Sequence, residues 1–576
     1  MQNKMVAAAV AGGLAITGFA TSATAATKTT KKTTKKTATA TAKPKAAPST
    51  AAPVTAAPTA AAPATAGVSA KKGGTFTALN LATGDPDHID PSLAHTVEAS
   101  QVTTQLYDGL VDIDYDTGEL KADTADKWTV SPDGRTVVFT LKKTTFSNGE
   151  AVLPSSFKCA WERALRPELA SEVAYHLYSI KGGQDVNEGK AKALDSVVAD
   201  DSAMTLTVGL ALPYSSFVAE NQHTVFSPLP KAACAAGKDY EQGVMIGNGP
   251  FKMAEPWKHD QSIRLIRNDS YFGGINKHAA YLDGVDFRIT KDTLAAYNLF
   301  ESGTGDNAPI PAGRYKEATA KYGSKGNERP QLQIQYYGFN WNDPIVGGFA
   351  NAKLRQAISA AINRDQINQL IYDGTRAPAT SFTPPGVPGY SKSLAVIKTS
   401  ADVDTAKRLL TEWGRPLPTL KLRVNNTSAN IQLANIIVAN LKDVGINVEL
   451  DPKPSTGYFT ELANGNSHQF YRSGWVYDYA GLDNGLYPLW STAAIGQDNS
   501  AKFSSAQFDK YVNDARSTAD PAKQAALYQA AEKIVLEQAV AVPLIWGRWA
   551  QVTSKRVEGY PQGSTGFVDF NEVSFK

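Results

Sequence analysis

Leu420-Lys-Leu-Arg-Val424, a helical run from about Asn430 to Val444, Gly445, and then Ile446-Asn-Val-Glu-Leu450 form the stretch whose reading decides the fold. Its two ends read as strands, and a glycine closes the helix between them. Strand, helix and strand in that order make a βαβ crossover, which places the chain in the α/β class. Working outward, Lys353 to Ile362 and Asp365 to Tyr372, the latter ended by Gly374, read as a helical pair. Ala406, Leu409, Leu410 and Trp413 put an apolar stripe on a helix closed by Gly414. Towards the N-terminus, Lys127-Trp-Thr-Val130 and Thr136-Val-Val-Phe-Thr-Leu141 flank the turn Ser131-Pro-Asp-Gly134 and predict a hairpin. Phe157 to Leu165 is a short helix stopped before Pro167, and Thr205-Leu-Thr-Val208 and Arg264-Leu-Ile266 are strands. Ala541-Val-Pro-Leu-Ile-Trp546 is a late strand, and the chain beyond Val552 is long enough to return to an earlier lobe. The body is α/β with mixed sheets.

At 576 residues the chain exceeds one core, and about 150 residues per domain predicts three or four domains or lobes. Lys4, the apolar run from Val6 to Ala20 and the small-residue signal Ser22-Ala-Thr-Ala25 read as an export leader over residues 1–25. No cysteine follows the leader, so a lipid anchor there is not expected. From Ala26 to about Lys72 the chain is mostly Ala, Thr, Pro and Lys with no aromatic residue and no acid, the composition of a solvated, disordered tail. Residues 1–84 hold ten lysines and no acid, so a formal net charge of +3 for the whole chain leaves an acidic body. That balance argues against nucleic-acid binding by the body, and it suits the tail either to contact with an anionic wall or membrane surface or to service as a plain spacer.

Enzyme signatures are thin. Ser155-Ser-Phe-Lys158 matches S-x-x-K, yet the S-D-N and K-T-G partners are missing. Gly247-Asn-Gly-Pro250 and Gly303-Thr-Gly305 lack the further glycine of a dinucleotide turn, and seven histidines are scattered without metal-ligand spacing. No enzyme, cofactor or metal is expected. Cys159 and Cys234 are either a disulfide of an exported chain or buried thiols.

Tyr471-Arg-Ser-Gly-Trp-Val-Tyr-Asp-Tyr479 is the candidate site. Asp478 beside Trp475, Tyr477 and Tyr479 can meet a cation in partly water-free surroundings, and Arg472 supplies an anion partner to the same ligand, as a zwitterion requires. The alternative is that the aromatics are ordinary core and Asp478 is a helix N-cap or a surface acid.

Four blocks resemble the extracellular solute-binding proteins, family 5, the oligopeptide- and dipeptide-binding subunits of ABC importers. They are Leu106-Tyr-Asp-Gly-Leu-Val-Asp-Ile-Asp-Tyr-Asp-Thr-Gly-Glu119 with its continuation to Leu165, Asn248-Gly-Pro-Phe-Lys252, Phe339-Asn340 with Leu354 to Arg364, and Gly474-Trp-x-x-Asp-Tyr479. The resemblance implies a two-lobed periplasmic-binding-protein-like fold, type II, cluster C, with an extra domain inserted in the first lobe. By position, lobe I takes 73–108, 205–330 and 545–576, the insert 109–204 and lobe II 331–544. It further implies that Asp478 pairs with a peptide α-ammonium, that Arg472 neutralises a carboxylate, and that Gly474, Trp475 and Val476 receive the peptide as an added strand opposite His95, Thr96 and Val97. Tyr479 belongs to the same ligand-facing turn. His95 stands where such proteins can carry an acid. The expected protein is an extracytoplasmic, secreted or wall-associated monomer that captures short peptides for an ABC permease. The alternatives are the same fold taking a sugar, metal chelate or opine, a secreted hydrolase using Ser155, or an envelope protein whose tail is the working part.

Overall fold

The computed structural model describes residues 72–114, 119–323, 330–394, 396–465, 467–518, 520–561, 563–564 and 566–576. The leader and, apart from Lys72, the tail lie outside the described residues.

The chain begins with β1 (Thr75–Leu81) and α1 (Val97–Leu106). It continues through β2 (Ala125–Val130), β3 (Thr136–Leu141), α2 (Pro154–Ala164), β4 (Val197–Asp200) and β5 (Thr205–Gly209). Next come β6 (Phe251–Met253), β7 (Ser262–Arg267), β8 (Gly284–Ile289) and β9 (Asn307–Pro309). β10 (Pro330–Phe339), α3 (Ala352–Ala361), α4 (Arg364–Tyr372), β11 (Ala377–Pro378), α5 (Val403–Trp413), β12 (Leu420–Asn425), α6 (Ser428–Lys442) and β13 (Val448–Lys453) follow. β14 (Phe470–Val476), α7 (Leu482–Trp490), β15 (Ala541–Arg548) and β16 (Gln551–Thr553) complete the elements that position the site.

Two mixed six-stranded sheets organise the molecule, in the orders β6-β7-β8-β1-β9-β16 and β11-β15-β10-β14-β12-β13. A separate antiparallel sheet, β2-β3-β5-β4, is built from the inserted segment. The chain passes between the large sheets after β9 and again after β15, and the two passages run side by side, Ile310 N–H donating to Ala550 O at 2.9 Å. Paired connections of this kind form a hinge.

The deciding stretch folds as its pattern dictates. β12 and β13 pair in parallel, and Leu420, Leu422 and Val424 pack against Leu433, Ala434, Ile437 and Leu441 of α6. Thr427 caps that helix, and Gly445 turns the chain back with φ +86°, a conformation that would strain any side chain. α5 buries Ala406, Leu409 and Trp413 and ends at Gly414, while the hairpin of β2 and β3 forms around Ser131–Gly134.

Two boundaries differ from the sequence reading. Thr205–Gly209 was expected in lobe I, but β5 pairs with β3 and β4, with Phe139 opposite Leu206, and buries Leu206 and Val208 in the inserted sheet. Residues 545–548 were expected to return to lobe I, yet they complete β15, whose register against β10 and β11 holds it in the second sheet; the return starts only after Trp549. An apolar strand announces its burial in the sequence but not its partner.

Cys159 of α2 and Cys234 are joined in a disulfide, with Cα atoms 5.6 Å apart and a sequence separation of 75. No helix among the described residues is long and apolar enough to cross a membrane.

Candidate functional site

A cavity of about 400 Å³ opens between the lobes. His95, Thr96 and Val97 line one wall, and Arg472, Gly474, Trp475, Val476 and Asp478 line the other.

The second wall is a strand with a free edge. β14 is bonded along its length to β10, from Phe339 opposite Phe470 to Gln333 opposite Val476, whereas β12 pairs with it only at Phe470 and Tyr471. Tyr477 N–H donates to Leu332 O at 2.8 Å. The alternation of an antiparallel ladder therefore turns the amides of Trp475 and Tyr477 towards β10 and leaves those of Gly474 and Val476 on the outer edge. That edge can accept an extended chain.

Charge is placed at both ends of it. Asp478 sits just past β14, where Asn484 of α7 donates to Oδ2 at 2.8 Å and accepts from the Asp478 N–H at 3.0 Å. The same Asn484 oxygen accepts Trp475 Nε1–H at 3.0 Å, so one amide fixes both residues. Burial pushes the Asp478 carboxyl above its ordinary value, against the pull of His223 and of Asn484. No cation lies within ion-pairing distance of Asp478 among the described residues. At the other end, Arg472 holds its guanidinium carbon 6.0 Å from the Phe459 ring centre, likewise with no ion pair among the described residues.

Tyr479 is a correction. It does not line the cavity; its hydroxyl lies 3.1 Å from Asp483 Oδ2 and 3.0 Å from Tyr214 Oη, inside a buried cluster completed by Tyr528 and Arg516. Neighbouring residues in extended chain point to opposite sides, so Asp478 in the cleft sends Tyr479 into the core. On the first wall, His95 Nε2 is engaged by Glu172 Oε2 at 3.1 Å and by Asp87 Oδ2 at 3.5 Å, and Thr96 caps α1 by accepting from Ala99 N–H.

Several cleft residues carried no sequence signal. Asp498 is pushed up to about 7 by burial, opposed by His95 and by the Tyr175 hydroxyl. His176 and His223 stack at 4.2 Å beside Asp478, and one nitrogen or oxygen from each of the three lies within 4.8 Å of the others. Burial depresses both imidazoles to about 3, so they are neutral. The trio can be tested as a metal centre. His223 Nδ1 faces Val225 N–H at 3.2 Å, and since that group can only donate, the ring proton must sit on Nε2. His176 Nδ1 is engaged by Glu220 at 3.0 Å. His223 is thus held in a donor tautomer and supports a carboxylate better than it ligates an ion.

The lobes touch across the cleft. Asp292 Oδ2 accepts from Ser428 N at 3.1 Å and from its hydroxyl at 2.6 Å, while Thr460 and Asn464 donate to Glu172 at 3.4 and 3.2 Å.

Comparison with known proteins places this geometry in a family. The model described as "Bacterial extracellular solute-binding proteins, family 5 Middle" matches residues 119–497. Oligopeptide-binding protein OppA of Bacillus subtilis is 28% identical over 526 residues, covering 88% of this chain and 94% of that protein. The solved structure of the Escherichia coli murein tripeptide binding protein MppA superposes with TM-score 0.78 at 26% identity, over 88% of this chain and 98% of that one. DppA of Helicobacter pylori in complex with peptide STSA gives TM-score 0.74 at 25% identity, over 88% and 98%. With two lobes, a cleft between them and a family match across two thirds of its length, the chain belongs to the bacterial extracellular solute-binding proteins, family 5.

Proposed function

We propose that the protein is an extracytoplasmic substrate-binding subunit that captures short peptides between its lobes and hands them to an ABC permease. The observation that carries this reading is the free edge at Gly474 and Val476 with Asp478 near one end and Arg472 near the other. Main-chain bonds to such an edge hold a peptide without reading its side chains, and the two charges fix its direction by pairing with the α-ammonium and a carboxylate. Relatives named for oligopeptide binding, and one solved with a peptide bound, support the same ligand class. The chemistry needed is reversible closure about the hinge, with no covalent step.

Native mass spectrometry of the purified protein, followed by titration with a mixed short-peptide pool, tests the proposal. Peptide masses that exchange with the pool are the expected result. A co-purified sugar, chelate or opine that peptides fail to displace would overturn it, and cleavage of the pool would point to a hydrolase.

A further inference from the structure

β14 sorts the side chains of any strand laid along its free edge. Directly opposite residues of an antiparallel ladder share a face, so Arg472, Gly474 and Val476 lie with Tyr337, Gln335 and Gln333 on one face, and Ser473 and Trp475 with Tyr336 and Ile334 on the other. A peptide whose α-ammonium meets Asp478 and whose carboxylate meets Arg472 runs against β14. Its first residue then stands opposite Val476 and its second opposite Trp475, one strand spacing or about 5 Å away. The second side chain is therefore directed to the face of Ser473 and Trp475, and the groups on that face decide which peptides bind best.

The turn 497–500 lies there. Ser500 O is 2.9 Å from His468 Nε2, and the His468 ring packs edge-on against Tyr471, which is two residues before Ser473 and on the same face, with ring centres 4.8 Å apart. Asp498, Ser500, Ser473 and Trp475 all line the one cavity. The turn is pinned from the inserted domain, since Gln497 Oε1 accepts from Tyr175 N–H at 3.0 Å and Gln497 Nε2 donates to the Tyr178 hydroxyl at 2.9 Å. It is closed by backbone, Ser500 N–H donating to Asp498 O at 2.7 Å, and so holds without the Asp498 carboxylate. That carboxylate is half-buried and faces the Tyr175 hydroxyl, and among the described residues it forms no ion pair with lysine or arginine.

The surroundings add acid and little base. His95 and Asp87 line the cavity from the opposite lobe, and His95 Nε2 is flanked by Asp87 Oδ2 at 3.5 Å and Glu172 Oε2 at 3.1 Å. Asp87 and Glu172 likewise pair with no lysine or arginine among the described residues, and Asp87 Oδ2 is buried without a hydrogen-bond donor there. Three carboxylates thus gather around one imidazole at this end of the cleft. A buried carboxylate without a cation is costly, and the lifted Asp498 carboxyl is its mark.

Resting on the peptide reading above, we propose that Asp498 is the specificity-determining residue of a side-chain subsite, and that the preferred ligands are short peptides with lysine or arginine in second place. The basic side chain supplies the countercharge that the protein itself does not. The ligand's two cations then use different carboxylates, Asp478 for the α-ammonium and Asp498 for the side chain, each through a charge-assisted hydrogen bond.

The test is titration calorimetry of wild type and Asp498→Asn with alanine tetrapeptides carrying one lysine, or one norleucine as its uncharged counterpart, at each position. In wild type, lysine in second place binds roughly 10- to 100-fold tighter than norleucine, the range for a charge-assisted bond. Asp498→Asn abolishes that preference, while all-alanine peptide binds wild type and variant alike, which also shows that the variant is folded. Wild type that binds lysine and norleucine equally in second place overturns the inference whatever the variant does. So does a lysine preference that Asp498→Asn leaves intact. An equal loss for all peptides in Asp498→Asn overturns it too, because Asp498 would then serve the α-ammonium or the fold. Wild type that binds no peptide at all would defeat the peptide reading itself, and this inference with it.

Discussion

Replacing Asp478 with asparagine removes the carboxylate just past the free strand edge while keeping the side chain's shape. Among the described residues this carboxylate is supported by neutral groups, the Asn484 amide at 2.8 Å and the neutral His223 beside it. Its compensating charge must therefore come from the ligand. Breaking a buried ion pair by deleting one partner costs about 3–5 kcal/mol, so Asp478→Asn should weaken binding of a free-amino peptide by roughly two to three and a half decades. Acetylating the peptide deletes the other half of the same pair and should cost a comparable amount. The two losses should not add, since either change leaves the other little to remove. Titration calorimetry on the four combinations of wild type or variant with free or acetylated peptide reads the coupling directly. Additive losses, or a variant that binds free peptide as tightly as wild type, would refute the reasoning and give Asp478 a structural role.

Two further outcomes follow from the same structure. Because burial lifts the folded Asp478 carboxyl above its ordinary 3.8, unfolding of the free protein releases a proton in that window, and the stability contribution falls as pH rises through it. Apo Asp478→Asn should therefore melt no lower than wild type at neutral pH, and the affinity ratio of wild type to variant should shrink as acid protonates the carboxylate; thermal melts and a pH series of titrations check both. The disulfide closes a loop with 75 residues of separation and should contribute about 2–4 kcal/mol, so Cys159→Ala/Cys234→Ala should unfold at lower urea, with reductant affecting wild type alone.

Local pattern made much of this legible. β12, α6 and β13 are specified by their own residues, down to the glycine that ends the helix, and Asp478 and Arg472 stand out because charge beside aromatics is conspicuous in sequence. What needed the structure depends on long-range pairing. Thr205–Gly209 looks like any half-buried strand, and only its register against β3 assigns it to the inserted sheet. Tyr479 carries the same aromatic signal as Trp475, and only the direction of the chain after β14 separates them. His176 and His223 are brought together beside Asp478 by the packing of the inserted segment onto the second lobe, and no spacing rule connects the three.

The central claim is that a peptide adds itself to β14 as a strand, and residue-resolved amide hydrogen exchange tests it most directly. Trp475 is already bonded to β10, while Gly474 and Val476 face the open edge. Saturating peptide should therefore slow exchange sharply at Gly474 and Val476 and change Trp475 little. Equal protection at all three amides, or none at Gly474 and Val476 under conditions where calorimetry shows the cleft filled, would contradict strand addition and with it the account of how this protein holds its ligand.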